Sequence, residues 1–192
     1  CAENIYSTAF DQDGYIFSKS VKQLPQLEQT WILLDRDYKE VKNSDGTLKY
    51  KYKEWTDKFP YSFKDKDGKT ISFEIYEKRV VTFNPKLAEK KRIEILKMVD
   101  KVVNLSARSA KRYEYGDAVK YAQFLSTDQD GKLTDGKVIA KINKEALDND
   151  LKLAGYNLLV TSEFNMSSIE IYEAYHNLWR IEETFKLMKS QL

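Results

Sequence analysis

Tyr175, Glu182 and Lys189 stand seven residues apart in a C-terminal run, from Ser167 onward, that contains neither glycine nor proline. On a helix each such step advances about 10.5 Å along one stripe, so a phenol, a carboxylate and an amine share a face. Leu178, Trp179, Phe185 and Met188 lie on or beside that stripe. A carboxylate on a mostly apolar face is costly unless it is paired or ligates a metal. The pattern leaves two readings open: a salt bridge at the edge of a core, or a functional carboxylate.

Other residues that could do chemistry carry weaker patterns. Asp-x-Asp-Gly occurs three times, at Asp11, Asp65 and Asp128. A calcium-binding loop needs an oxygen ligand two residues before the first aspartate and a glutamate six after the glycine. Ala9 and Phe63 fail the first requirement, and Lys137 stands where the third repeat needs its glutamate. These read as turns. The single histidine, His176, has no serine or cysteine arrangement to serve as a general base, and it reads as a surface or edge residue. With one cysteine, Cys1, and one histidine, the usual zinc sites are excluded. The seven glycines form no phosphate-binding loop.

The elements that must position these residues follow from periodicity. The opening predicts a helix over Ala2–Ala9, a turn at Asp13-Gly14, a strand at Tyr15–Ser18, and a helix from Pro25 with Leu24, Leu27, Trp31 and Leu34 at helical spacing. From about Asp35 apolar and polar residues alternate, and an Asp67-Gly68 turn separates Phe59, Tyr61 and Phe63 from Ile71, Phe73 and Ile75. That pattern predicts an antiparallel β-meander. Pro85 opens a helix over roughly Lys86–Asn104 with Ile95, Leu96, Val99 and Val103 as its buried stripe. Lys90, Lys97 and Lys101 fall on another face. Strands return at Val138–Ile142 and Leu158–Thr161. Ser167 and Glu170 form a capping box that starts the terminal helix.

Composition supports a folded chain: 42% hydrophobic and 13% aromatic residues can fill a core. No apolar stretch approaches a membrane span, and no basic start followed by an apolar run marks a signal peptide. Net charge is only +2, so any basic surface is local. Between Lys86 and Arg112 nine basic residues meet three acidic ones. The start at Cys1 rather than Met fits a piece excised from a longer protein; a mature bacterial lipoprotein also begins with cysteine, but normally with a polar tether where this chain has Ile5, Tyr6 and Phe10.

The run Tyr175-His176-Asn177-Leu178-Trp179-Arg180-Ile181-Glu182-Glu183-Thr184-Phe185-Lys186-Leu187-Met188-Lys189 resembles the Y-(2)-R-(3)-E-(6)-K signature of insertion-sequence transposases of the DDE class. Leu178 replaces the signature arginine. Gly155–Thr161 resembles the strand before the signature helix, Gly116 with Lys120-Tyr121 a segment of the domain inserted ahead of it, and Ala2–Phe17 the helix and strand after the second catalytic aspartate. The resemblance implies an α/β (α+β) fold: a partial ribonuclease-H-like core in residues 1–34 and 154–192, interrupted by a β-rich insertion domain with a basic helix in residues 35–153, and ending in a long helix.

The family further implies metal-dependent DNA strand cleavage and transfer with two Mg²⁺ ions, in which Glu182 is the last catalytic carboxylate and a metal ligand. Tyr175 and Lys189 would contact DNA, and Lys90, Lys97 and Lys101 could track its backbone. The first two catalytic aspartates would precede Cys1, leaving these residues alone inactive and without bound metal. The partners implied are the element ends and target DNA, with a homodimer as the active complex, no membrane, and a bacterial cytoplasmic location. The competing expectation is a non-catalytic binding module such as a surface lipoprotein or adhesin domain.

Overall fold

Alternating apolar residues flanking Asp-Gly turns need a partner strand on each side, and the chain satisfies them in one curled antiparallel sheet. The computed structural model describes residues 2–11, 13–108, 110–127 and 137–178. The architecture is mixed α/β, and contacts divide it into two compact units, Cys1–Asn84 with Tyr156–Leu192, and Pro85–Gly155. The element order is α1 (Ala2–Phe10), β1 (Ile16–Lys19), α2 (Gln26–Leu33), β2 (Lys39–Lys42), β3 (Leu48–Lys64), β4 (Thr70–Phe83), α3 (Pro85–Ala107), β5 (Ala122–Thr127), β6 (Lys137–Ile142), α4 (Lys144–Leu153) and β7 (Tyr156–Thr161). A last described helix, α5, covers residues 168–178.

In the first unit the strand order is β1-β7-β4-β3-β2, every pair antiparallel. Strand β4, which falls within the insertion expected from residue 35, pairs directly with β7, so β2, β3 and β4 belong to the same sheet as β1. The unit boundary falls at Asn84/Pro85 because β4 needs both β3 and β7 as hydrogen-bonding neighbours.

Strand β3 is a single run of 17 residues in which the apolar phase switches. Leu48, Tyr50 and Tyr52 take even positions, whereas Trp55, Phe59, Tyr61 and Phe63 take odd ones. Alternate residues of a strand face opposite sides, so the switch marks where the covered face changes. At one end Tyr50 stacks on Tyr172 of α5, ring centroids 3.9 Å apart. Toward the other end Phe63 meets Tyr6 of α1 at 5.5 Å. In α2 the inward residues are Gln29 and Ile32, while Leu27 is 83% exposed; the stripe expected through Leu27 and Leu34 is turned outward. The C-terminal carbonyls of α2 are satisfied by the buried Lys53, whose Nζ donates to Trp31 O at 2.6 Å and to Leu34 O at 2.8 Å.

The odd face of β4 carries Ile71, Phe73 and Ile75, then Glu77 and Arg79, then Val81. Glu77 is fully buried. Its carboxylate accepts from Tyr61 Oη at 2.7 Å, Tyr15 Oη at 3.3 Å and Arg79 Nε at 2.8 Å. Arg79 donates onward from Nη1 to Glu28 of α2 at 2.8 Å and stacks over Phe59. Burial, then the charge of Glu77 at Tyr15 and the hydrogen bond to Glu77 at Tyr61, pushes both phenols well above their ordinary range. One saturated cluster thus joins the loop before β1 to α2, β3 and β4.

The second unit packs α3 against β5–β6, α4 and a 3-10 segment, Arg112–Tyr121. Its core contains Ile95, Val102, Leu105, Tyr115, Ala118 and Tyr121. On α3 the expected Leu96 and Val103 are each 50% exposed, and Ala88, Ile95, Val102 and Leu105 face inward instead. Asn143 caps α4, its Oδ1 accepting from Ala146 N at 3.2 Å.

Truncating Arg79 to alanine strands a buried carboxylate and is expected to cost about 3–5 kcal/mol, against about 1–2 kcal/mol for Tyr61→Phe, which removes one neutral donor. Urea denaturation midpoints of the two variants check this ordering; an Arg79→Ala loss no greater than that of Tyr61→Phe would remove the cluster from its role.

Candidate functional site

Helix α5, on which the run containing Tyr175 opens, begins as its capping box requires. Ser167 N donates to Glu170 Oε2 at 2.7 Å and Glu170 N donates to Ser167 Oγ at 3.2 Å. The Ser167 backbone and hydroxyl hold the Glu170 carboxyl below its ordinary range. A second anchor ties this end to the sheet: Ser168 Oγ donates to Glu54 of β3, and Lys78 of β4 bridges Glu54 Oε2 at 3.0 Å and the Met166 carbonyl at 2.8 Å.

Beyond that anchor the inward residues recur at helical spacing: Ser168, Ile171, Tyr172, Tyr175. Ile171 lies against Val80 and Leu159, and Tyr175 packs on the same cluster. Tyr175 is therefore a half-buried residue on the sheet-facing side of α5. Leu178, in place of the signature arginine, is 58% exposed. Glu182 and Lys189 lie outside the described residues. His176 is partly buried, with Nδ1 2.8 Å from the Tyr172 carbonyl and its ring 3.9 Å from the Tyr172 ring; those contacts fix it as a packing residue of the helix.

The three candidate lysines of α3 are exposed. At about 100° per residue, Lys86, Lys90, Lys97 and Lys101 fall within roughly one sixth of the helix circumference, opposite Ile95 and Val102. Along the axis, neighbours four residues apart are separated by about 6 Å and Lys90 and Lys97 by about 10.5 Å. Lys97, Asp100, Lys101, Asn104, Leu105 and Arg108 line an open hollow of about 500 Å³. These lysines belong to the second unit and Tyr175 to the first.

The Asp-x-Asp-Gly repeat at Asp65 is a turn, as its spacing predicts. Asp65 Oδ1 accepts from Asp67 N at 3.0 Å and Lys69 N at 2.8 Å in the β3–β4 hairpin. Asp13 N bonds back to Thr8 O at the end of α1. The repeat at Asp128 lies outside the described residues. Among the described residues no group of three or more histidine, cysteine, aspartate or glutamate side chains could hold a metal ion, and no helix is long and apolar enough to cross a membrane. A hollow of about 290 Å³ in the first unit is lined by Leu27, Glu28, Trp31 and Trp55; its one charged group, Glu28, is bound by Arg79.

Sequence reasoning missed the Glu77–Arg79 cluster, although a signal existed. Period two assigns positions 77 and 79 to the same face as Phe73, Ile75 and Val81, so two opposite charges fall where apolar residues belong. Their saturation makes them structural: every described acceptor of Glu77 is engaged and the carboxylate has no solvent exposure.

No family model, curated protein or solved structure matches the chain.

Glu54 ties α5 to the sheet, and its acid–base behaviour tests that anchor. Burial acts to raise its carboxyl, but hydrogen bonds from Ser168 and Lys78 and the charges of Lys78 and Lys39 hold it below the ordinary range. A depressed folded-state pKa contributes stability above the unfolded value, about 4.3, and that contribution is lost as pH falls through the folded value. Glu54→Gln is expected to flatten the acid limb of the Tm–pH curve; parallel acid limbs for wild type and variant would contradict the anchor.

Proposed function

We propose that this chain is the C-terminal portion of the catalytic region of a cut-and-paste DNA transposase of the DDE class. The observation that carries the reading is the spacing Tyr175, Glu182, Lys189 on the run that Ser167 and Glu170 cap. The described start of that run, residues 168–178, is helical and turns Tyr175 toward the sheet. Helices against both faces of the sheet are compatible with part of a ribonuclease-H-like core, the finer fold in this proposal. Residues 85–155, a compact unit of their own, are the natural inserted element.

In this reading Glu182 is the catalytic carboxylate and a metal ligand. The described residues do not by themselves make a metal site, so Glu182 would act with two aspartates of the longer protein. When bound, two Mg²⁺ ions supply activation of water or a 3′-hydroxyl and stabilisation of the leaving oxygen. Lys189 neutralises a backbone phosphate and Tyr175 positions the strand. Lys90, Lys97 and Lys101 follow the DNA backbone, which makes binding salt-dependent. The partners are element-end and target DNA in a bacterial cytoplasm, with a homodimer as the active complex, and the 192 residues alone are inactive.

The test is strand cleavage and transfer on element-end DNA with Mg²⁺ by the full-length protein and its Glu182→Gln variant. The variant is expected to lose cleavage by at least about 100-fold, as removal of a catalytic group does, while retaining DNA binding. Cleavage at the wild-type rate would make the carboxylate structural.

A further inference from the structure

The 3-10 segment Arg112–Tyr121 buries a stripe of Tyr115, Ala118 and Tyr121, the last two one three-residue turn apart. Tyr113 falls off that stripe and is 78% exposed. It lines an open hollow of about 530 Å³ with Arg112, Gly116 and Val119. At Gly116 the backbone takes φ 51° and ψ −131°, interrupting the segment, and a Cβ there would lie 3.7 Å from Lys101 Nζ. Lys101 also lines the hollow formed by the C-terminal half of α3. Lys101 of one hollow and Gly116 of the other are thus neighbours within a single compact unit.

From this arrangement we propose that the second unit binds single-stranded DNA, with backbone phosphates on Lys97, Lys101 and Arg112 and an unpaired base stacked on Tyr113. The charge is complementary: Lys97 and Lys101 project to solvent, and the Arg112 guanidinium is steadied over the Phe124 ring at 5.3 Å. Arg108, beside them, is held by Glu114 at 3.5 Å and contributes less. An exposed aromatic ring beside a cationic track is the combination that binds single strands without sequence preference, since every base has a face to stack and every linkage a charge to neutralise. A duplex keeps its bases stacked inside and offers Tyr113 nothing to stack on. The inference rests on the proposed function for the claim that α3 meets a DNA backbone; the unpaired base on Tyr113 is its own.

Fluorescence anisotropy of the 192-residue chain with a labelled oligothymidylate and with a duplex of equal length tests it. Tyr113→Ala is expected to weaken single-strand binding about 5- to 100-fold, Tyr113→Phe to retain it, and duplex affinity to be unchanged. The Lys97→Ala/Lys101→Ala double variant is expected to reduce the single-strand salt slope by about 1.4. Single-strand affinity unaffected by Tyr113→Ala, or duplex affinity falling equally, overturns the stacking site while leaving the backbone track intact. Loss of neither affinity nor salt slope in the lysine variant overturns the track, and with it the DNA-binding part of the proposed function. Glu182-dependent cleavage by the full-length protein remains a separate readout.

Discussion

The first unit depends on a charge that has no access to water. Glu77 lies at the centre of a long strand with Arg79 two residues on, and the two share a face with the aromatic residues of β3. Removing a carboxylate and a guanidinium from solvent is unfavourable unless all their hydrogen-bonding capacity is used. Tyr61, Tyr15 and Glu28 use it. Because these partners come from β3, from the residue preceding β1, and from α2, the cluster closes only when all three are in register with β4. An apolar core of the same volume would hold these elements together but would tolerate sliding. The hydrogen-bonded cluster does not, and it thereby sets which part of the sheet α2 covers.

That constraint explains how the apolar phase of β3 can change midway without breaking the strand. On the even face Tyr50 and Tyr52 lie under α5, and on the odd face the covering is done by α1 and α2. Lys53 belongs to the odd face by parity, yet is buried because it donates to the carbonyls at the end of α2. The strands, their turns and most helices were legible from period and turn chemistry: α1, β1, the hairpin at Asp67-Gly68, α3 from Pro85, and the capping box at Ser167. Which side of a strand is covered was not, because parity distinguishes two faces without saying which neighbour will pack on either.

Helix α3 makes the same point for the site. Its apolar residues surround more than half of the helix, so sequence spacing accommodates several buried stripes. The partners in space select one through Ala88, Ile95, Val102 and Leu105, and leave Leu96 and Val103 half exposed. The lysine stripe survived that ambiguity because both the expected stripe and the observed one leave Lys90, Lys97 and Lys101 in solvent. Tyr175 was legible as the first residue of the heptad spacing. Its packing against Val80 and Leu159 was not, because those partners lie far away in the chain.

Lysine counts alone could not have separated these cases. Lys53 and Lys97 are the same residue type in one nearly neutral chain, but burial lowers the pKa of Lys53 and its donors are consumed by backbone carbonyls. Lys97 lies exposed at the surface, where attraction to a polyanion costs little desolvation and is screened by salt. The chain's net charge of +2 is the sum of charges spent internally and charges left in solvent. Only the second kind can meet a partner. Along α3 those charges recur on one stripe, so binding to a regular polyanion depends on their spacing more than on the overall balance. A protein with the same net charge and its lysines distributed as Lys53 is would present no such track.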